Sequence, residues 1–237
     1  MNQIEEFVDD RQKGWCIHCG EWIAGLETNR DHVPSKCLLH EPHPANLPVV
    51  DVCKACNKGF SLDEEYVCAF LGSVLVGSTD PDRQRNPKAA RILGRNPKLR
   101  ARIDRAKTEY QTLGGETRSV WRPESDRFNR VALKNARGHA FYEYGEPMLN
   151  EPEYVQSVPL ASMTREQRAE FESMDFGSGW PEVGSRTLTR VMTGQDLSGA
   201  WIIVQEGVYR YAVAQAGLML VRTVLFEYLA TEVYWED

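Results

Sequence analysis

Apolar positions along the chain change their period from one region to the next. Between Ser61 and Val76 they recur at helical spacing, with Tyr66, Val67, Phe70, Leu71 and Val74 on one side. Ser61-Leu62-Asp63-Glu64 has the form of a capping box and is expected to start that helix. On this reading Asp63, Glu64 and Glu65 complement the positive end of the helix rather than hold a metal. Further on, Asn86-Pro87 and Asn96-Pro97 each pair an N-cap residue with proline at the first helical position. The second of these helices is expected to run from Pro97 to about Leu113. Leu99, Ile103, Ala106, Tyr110 and Leu113 would form its inward stripe, and Gly114-Gly115 its stop. A third helix is expected near Ser125. Residues 151–185 read as a connector with one short helix near Arg165–Ser173. From Gly177 onward, glycine and serine clusters separate short runs rich in β-branched and aromatic residues: Arg186–Met192, Ala200–Gln205, Val208–Ala214, Leu218–Phe226 and Tyr228–Tyr234. Those runs predict an antiparallel sheet packed on the preceding helices.

Composition narrows the class without changing this picture. Hydrophobic residues make up 42% and charged residues 26% of the 237, which argues against a disordered chain. No apolar run approaches the length of a bilayer-spanning helix, and the opening MNQIEEFVDD does not read as a secretory signal. The expectation is therefore a cytoplasmic protein without a membrane segment. Charge is distributed unevenly. Residues 1–79 carry 6 Lys+Arg against 12 Asp+Glu, residues 80–137 carry 16 against 7, and residues 138–237 carry 6 against 15. A basic block between acidic flanks suits a polyanion-binding surface, although a solvated helical face has the same signature. Within the block, Arg127, Arg130, Lys134 and Arg137 fall at spacings of 3, 4 and 3, so they share one helix face that could track a DNA backbone.

Six cysteines are too few for a disulfide scaffold. Four of them form two CxxC pairs, Cys16/Cys19 and Cys53/Cys56, each able to turn both sulfurs toward one ion. Two such knuckles complete a tetrahedral thiolate set for structural Zn²⁺, and the 33 residues between them require a folded insertion. Cys37 and Cys68, among apolar neighbours, read as inert core residues.

Inside the insertion lies Asn29-Arg30-Asp31-His32-Val33-Pro34-Ser35, followed by Asn46-Leu47-Pro48, with Asn57 directly after Cys56. A neutral imidazole can take a proton from water near neutral pH. A carboxylate and an amide oxygen are hard donors suited to Mg²⁺ or Mn²⁺. Together they offer what phosphodiester hydrolysis requires, an activated water and a cation beside the developing charge. Simpler roles exist for each: Asn46 as a turn residue and Asn57 as a helix cap. His18 is expected to be exposed, His40 and His43 to lie in a loop, and Lys36, Lys54 and Lys58 to sit near the motif.

The set Cys16…Cys19, Asp31-His32-Val33-Pro34, Asn46-Leu47, Cys53…Cys56-Asn57 resembles an HNH endonuclease of the ββα-metal class in its zinc-stapled form, over roughly residues 14–66. The resemblance implies a nuclease with His32 as general base, Asp31 and Asn57 holding a catalytic Mg²⁺ or Mn²⁺, and Asn46 bracing the loop around His32. Many members of the family have histidine where this chain has Asn57, so the resemblance implies a hard cation at that position. The expected architecture is α+β: a ββα module with structural zinc (1–79), a basic helical region offering a DNA-binding surface (80–145), and an accessory domain of helix and antiparallel sheet (146–237), the last open to homodimerisation. Two other functions fit the same residues. One is a non-catalytic zinc-ribbon adaptor that binds nucleic acid; the other is a ribonuclease using the same site.

Overall fold

The computed structural model describes residues 1–5, 13–174, 181–215 and 218–236; the expected change of pattern at Gly177 lies outside them. In chain order the elements are β1 (Thr28–His32), β2 (Val49–Cys53), α1 (Lys54–Val76), α2 (Pro87–Arg95), α3 (Pro97–Arg105), β3 (Lys107–Gln111), β4 (Thr117–Trp121) and α4 (Ser125–Tyr144). They continue with β5 (Tyr154–Pro159), α5 (Arg165–Glu172), α6 (Arg186–Thr193), β6 (Leu197–Ser198), β7 (Trp201–Gln205), β8 (Tyr209–Gln215), β9 (Leu218–Leu225) and β10 (Leu229–Glu236). The architecture is α+β, with an N-terminal β-β-α segment, a helix-rich middle, and a C-terminal helix and six-stranded sheet. Two compact units divide the chain, one made of Met1–Phe60 with Ala132–Asp237 and the other of Ser61–Val131. No helix among the described residues is long and apolar enough to cross a membrane.

In the first unit, β1 and β2 form an antiparallel hairpin that runs directly into α1. This corrects the expected helix start at Ser61. The backbone N–H of Cys56 donates to Cys53 Sγ (3.4 Å), so the second knuckle supplies the first turn of α1 and Ser61 is interior. The large sheet has the order β5-β10-β9-β8-β7-β6, antiparallel throughout. One face buries Phe171 of α5 with Trp201, Ala212, Ala214, Val224 and Ala230.

Towards α4 and α6 the sheet turns a polar network. The Arg190 guanidinium donates to both Glu143 oxygens (3.1 and 3.2 Å) and to Asp196 (2.9 Å). Tyr211 donates to Glu143 (2.6 Å), and the His139 ring stacks on Tyr211 at 3.7 Å. Arg190 and Glu143 are wholly buried, so each charge depends on the other. Arg186–Met192, read as a strand, is the helix α6: Ser185 caps its start by accepting from the Leu188 N–H (3.1 Å), and Gly194 (φ +71°) ends it. Capping outweighs the β-branched content of so short a run.

The second unit confirms both Asn-Pro caps. Asn86 accepts from the Lys88 N–H (2.8 Å) and Asn96 from the Leu99 N–H (3.0 Å). The helix expected to reach Leu113 stops at Arg105, and residues 107–121 form the two-stranded ribbon β3–β4. Gly114-Gly115 therefore turns a hairpin instead of ending a helix; Gly115 takes φ +81°, in the left-handed region that favours glycine. Asp63 is buried in α1 and accepts from Arg130 (2.8 Å), with Arg127 at 3.4 Å, so it does not serve as helix-start charge. The surface of this unit is basic and rich in salt bridges, including Arg95–Glu65, Arg102–Glu124 and Lys107–Glu109.

Candidate metal centre

The two knuckles converge. One ligand atom from each of Cys16, Cys19, Cys53 and Cys56 lies within 4.8 Å of every other, and Cys19 Sγ stands 3.8 Å from Cys53 Sγ. A zinc ion about 2.3 Å from each sulfur in a tetrahedron sets sulfur–sulfur edges of about 3.8 Å, so the spacing and the donor chemistry fit structural zinc. Burial and the neighbouring sulfurs push the Cys56 thiol up, and burial also raises that of Cys19. At Cys16 burial works in the same direction but is outweighed by N–H groups of Cys53, His18 and Cys19, which hold the thiol low. Beneath the cluster, Cys16, Ile17, Val33, Val50, Val52 and Cys53 form an apolar core, with Phe141 of α4 packed against it. Among the described residues this is the only cluster of three or more His, Cys, Asp or Glu side chains able to hold a metal ion.

The expected catalytic set does not assemble around a second ion. Consecutive residues of a strand point to opposite faces. Asp31 turns inward from β1 and is buried, where Lys134 Nζ donates to it at 2.8 Å and His18 Nε2 stands at 3.7 Å. Burial by itself would raise the Asp31 carboxyl, but His18 and the Lys134 ammonium outweigh it and hold the carboxyl low. The cation beside Asp31 is thus the protein's own ammonium. His32, half-buried, belongs to the other face of the strand; burial, then the charge of Lys36, lowers its imidazole. Asn46 is exposed at φ +57° and donates to the Met1 carbonyl (3.4 Å), which makes it a turn residue. Asn57 lies in the first turns of α1, one residue past Cys56.

The endonuclease reading, and the ribonuclease reading on the same residues, are corrected accordingly. The metal site is all cysteine, no His/Asp/Asn triad forms, and the described residues show no second cluster for Mg²⁺ or Mn²⁺.

The basic stripe also takes a different role. Arg127 and Arg130 engage Asp63, as described above. Lys134 and Arg137 are buried, and a phosphate backbone cannot reach them. Lys134 donates to Asp31 and to Ser35 Oγ (both 2.8 Å), and Arg137 to the carbonyls of His18 and Asn150 (both 3.1 Å). Asn135 Oδ1 accepts from the Ser35 N–H at 3.1 Å. The face of α4 that carries Lys134, Arg137, Gly138 and Phe141 therefore docks on the hairpin and the first knuckle. His18, expected to be exposed, is buried between Asp31 and Phe60, its ring 4.8 Å from the phenyl centroid. The sequence offered one sign of this docking, a glycine inside an otherwise well-formed helix. A Cβ at Gly138 would stand 2.6 and 2.9 Å from the two Val33 methyls. Gly138→Ala is expected to cost about 1–3 kcal/mol in chemical denaturation, since the added methyl overlaps the buried Val33 side chain.

The chain matches no protein-family model, no curated protein and no solved structure.

Proposed function

We propose that the chain is a non-catalytic zinc-binding adaptor that engages nucleic acid. The observation that carries this reading is the closed all-cysteine donor set. Four thiolates fill a tetrahedral coordination shell and leave no position for water or substrate, which is the arrangement of structural rather than catalytic zinc. The partner follows from charge. Residues 83–107 hold ten Lys+Arg and a single acid, Asp104. Arg83, Arg85, Lys88, Arg91, Lys98 and Arg105 are exposed and form no ion pair among the described residues. These side chains, rather than the buried Lys134 and Arg137 of α4, are available to phosphate oxygens.

The test joins metal analysis to binding and cleavage assays on the purified chain. One zinc per chain is expected, with no cutting of plasmid DNA or RNA in Mg²⁺ or Mn²⁺. Affinity for nucleic acid should fall steeply with salt. Reversing Arg85, Lys88, Arg91 and Lys98 to glutamate should weaken binding at least tenfold and flatten the salt slope by about two to four, each lost phosphate contact removing about 0.9. Cleavage that is lost in His32→Ala would refute the adaptor reading. Binding unaffected by the reversals would move the interface elsewhere.

A further inference from the structure

Resting on the nucleic-acid reading, we infer that the β3–β4 ribbon reads base edges in the major groove of duplex DNA. A lone two-stranded ribbon is marginal in water, so its long exposed surface calls for a reason. In its own unit β3 pairs only with β4, and most of its residues are exposed. The register separates two faces. Trp121, opposite Lys107, is half-buried with its ring 6.1 Å from that of Phe70 of α1, so this face is anchored to the unit. The other carries two cross-strand pairs, Thr108–Val120 and Tyr110–Arg118. Tyr110 is 48% and Val120 43% exposed, and the Arg118 side chain 63%, so this face is free.

Its chemistry matches a groove floor. An arginine fork fits the paired acceptors of guanine, hydroxyls of Thr108 and Tyr110 can donate or accept, and valine methyls suit the thymine methyl. Five residues per strand span about 17 Å, and a ribbon of this width enters the roughly 12 Å major groove of B-form DNA but not the deep, narrow one of A-form RNA. Charge favours approach. The basic run 83–107 passes into β3 through Ala106, and the two ribbon acids are matched within the ribbon, Glu109 by Lys107 and Glu116 by Arg118 (3.3 Å). The Arg118–Glu116 pair is exposed and worth little, so Arg118 can exchange it for a base.

The experiment uses the zinc-loaded full chain with a random 20-bp DNA duplex library, sequenced after binding, and a duplex RNA of matched length. The wild type should prefer DNA to RNA at least tenfold and enrich a guanine-containing motif. Arg118→Lys keeps the charge but loses the fork. It should keep affinity for random DNA and the salt slope while enrichment falls about ten- to hundredfold. Tyr110→Ala, which removes a side chain 48% open to solvent, should also reduce enrichment while circular dichroism and zinc content stay those of the wild type. If the wild type binds DNA with a steep salt slope but both variants enrich the same sequences equally well, the ribbon assignment fails and the adaptor reading stands. If the wild type binds neither nucleic acid, both fail. Light scattering that shows either variant turning a dimer into a monomer would give the ribbon to a second copy of the chain, again overturning the inference.

Discussion

Cys53→Ser, or chelation of the wild type, is expected to release the zinc and unfold the hairpin. Structural zinc contributes about 10–16 kcal/mol in zinc-finger peptides, comparable to the whole stability of a typical domain at about 5–15 kcal/mol. The apolar core beneath it is small and itself includes Cys16 and Cys53. Hydrogen exchange should show β1, β2 and the start of α1 losing protection. The β7–β10 meander, with a separate core around Phe171 and Trp201, should keep its own. An apo protein with unchanged protection at β1 and β2 would contradict the assignment of zinc as the clamp.

The second large effect is expected at Lys134. Lys134→Ala leaves the Asp31 carboxylate buried without the ammonium that faces it. Stranding a buried charge in this way costs about 3–5 kcal/mol, whereas removing both charges together is often close to neutral. Denaturation of Lys134→Ala should therefore show that loss, and Lys134→Met combined with Asp31→Leu should recover most of it. Asp31→Asn in an otherwise wild-type chain should destabilise as well, since it removes the carboxylate charge that faces the buried ammonium. A Lys134→Ala protein as stable as the wild type would mean that water or another cation serves Asp31, and the carboxylate would again be open to a metal.

How much the sequence revealed depends on how far apart the interacting groups lie. The knuckles could be read because a CxxC turn is a local object and two of them determine a site. The caps at Asn86 and Asn96 and the meander from Trp201 onward are local too. The ribbon was hidden because Leu99, Ile103, Ala106, Tyr110 and Leu113 happen to keep a helical period, although Leu113 proves wholly exposed at the hairpin tip. On α4 the 3-4-3 spacing correctly placed four cations on one face but carried no information about direction. Asp63, which takes up Arg127 and Arg130, and Asp31, which takes up Lys134, lie far back in the chain. The motif around His32 misled for the same reason. Adjacent letters said that Asp31 and His32 were close, while the pleat of β1 assigned them to opposite surfaces and the occupant of the inner one was a lysine 103 residues later.

That separation has a consequence for how the protein is made. All four cysteines precede Ser61, so they leave the ribosome ahead of the Ser61–Val131 segment and the metal can be captured before that segment has emerged. Asp31 must then wait through the synthesis of the whole Ser61–Val131 segment before its counter-ion emerges. In that interval the nascent hairpin has only its own ladder, a small apolar core and zinc to hold it, and zinc supply during translation becomes a determinant of yield.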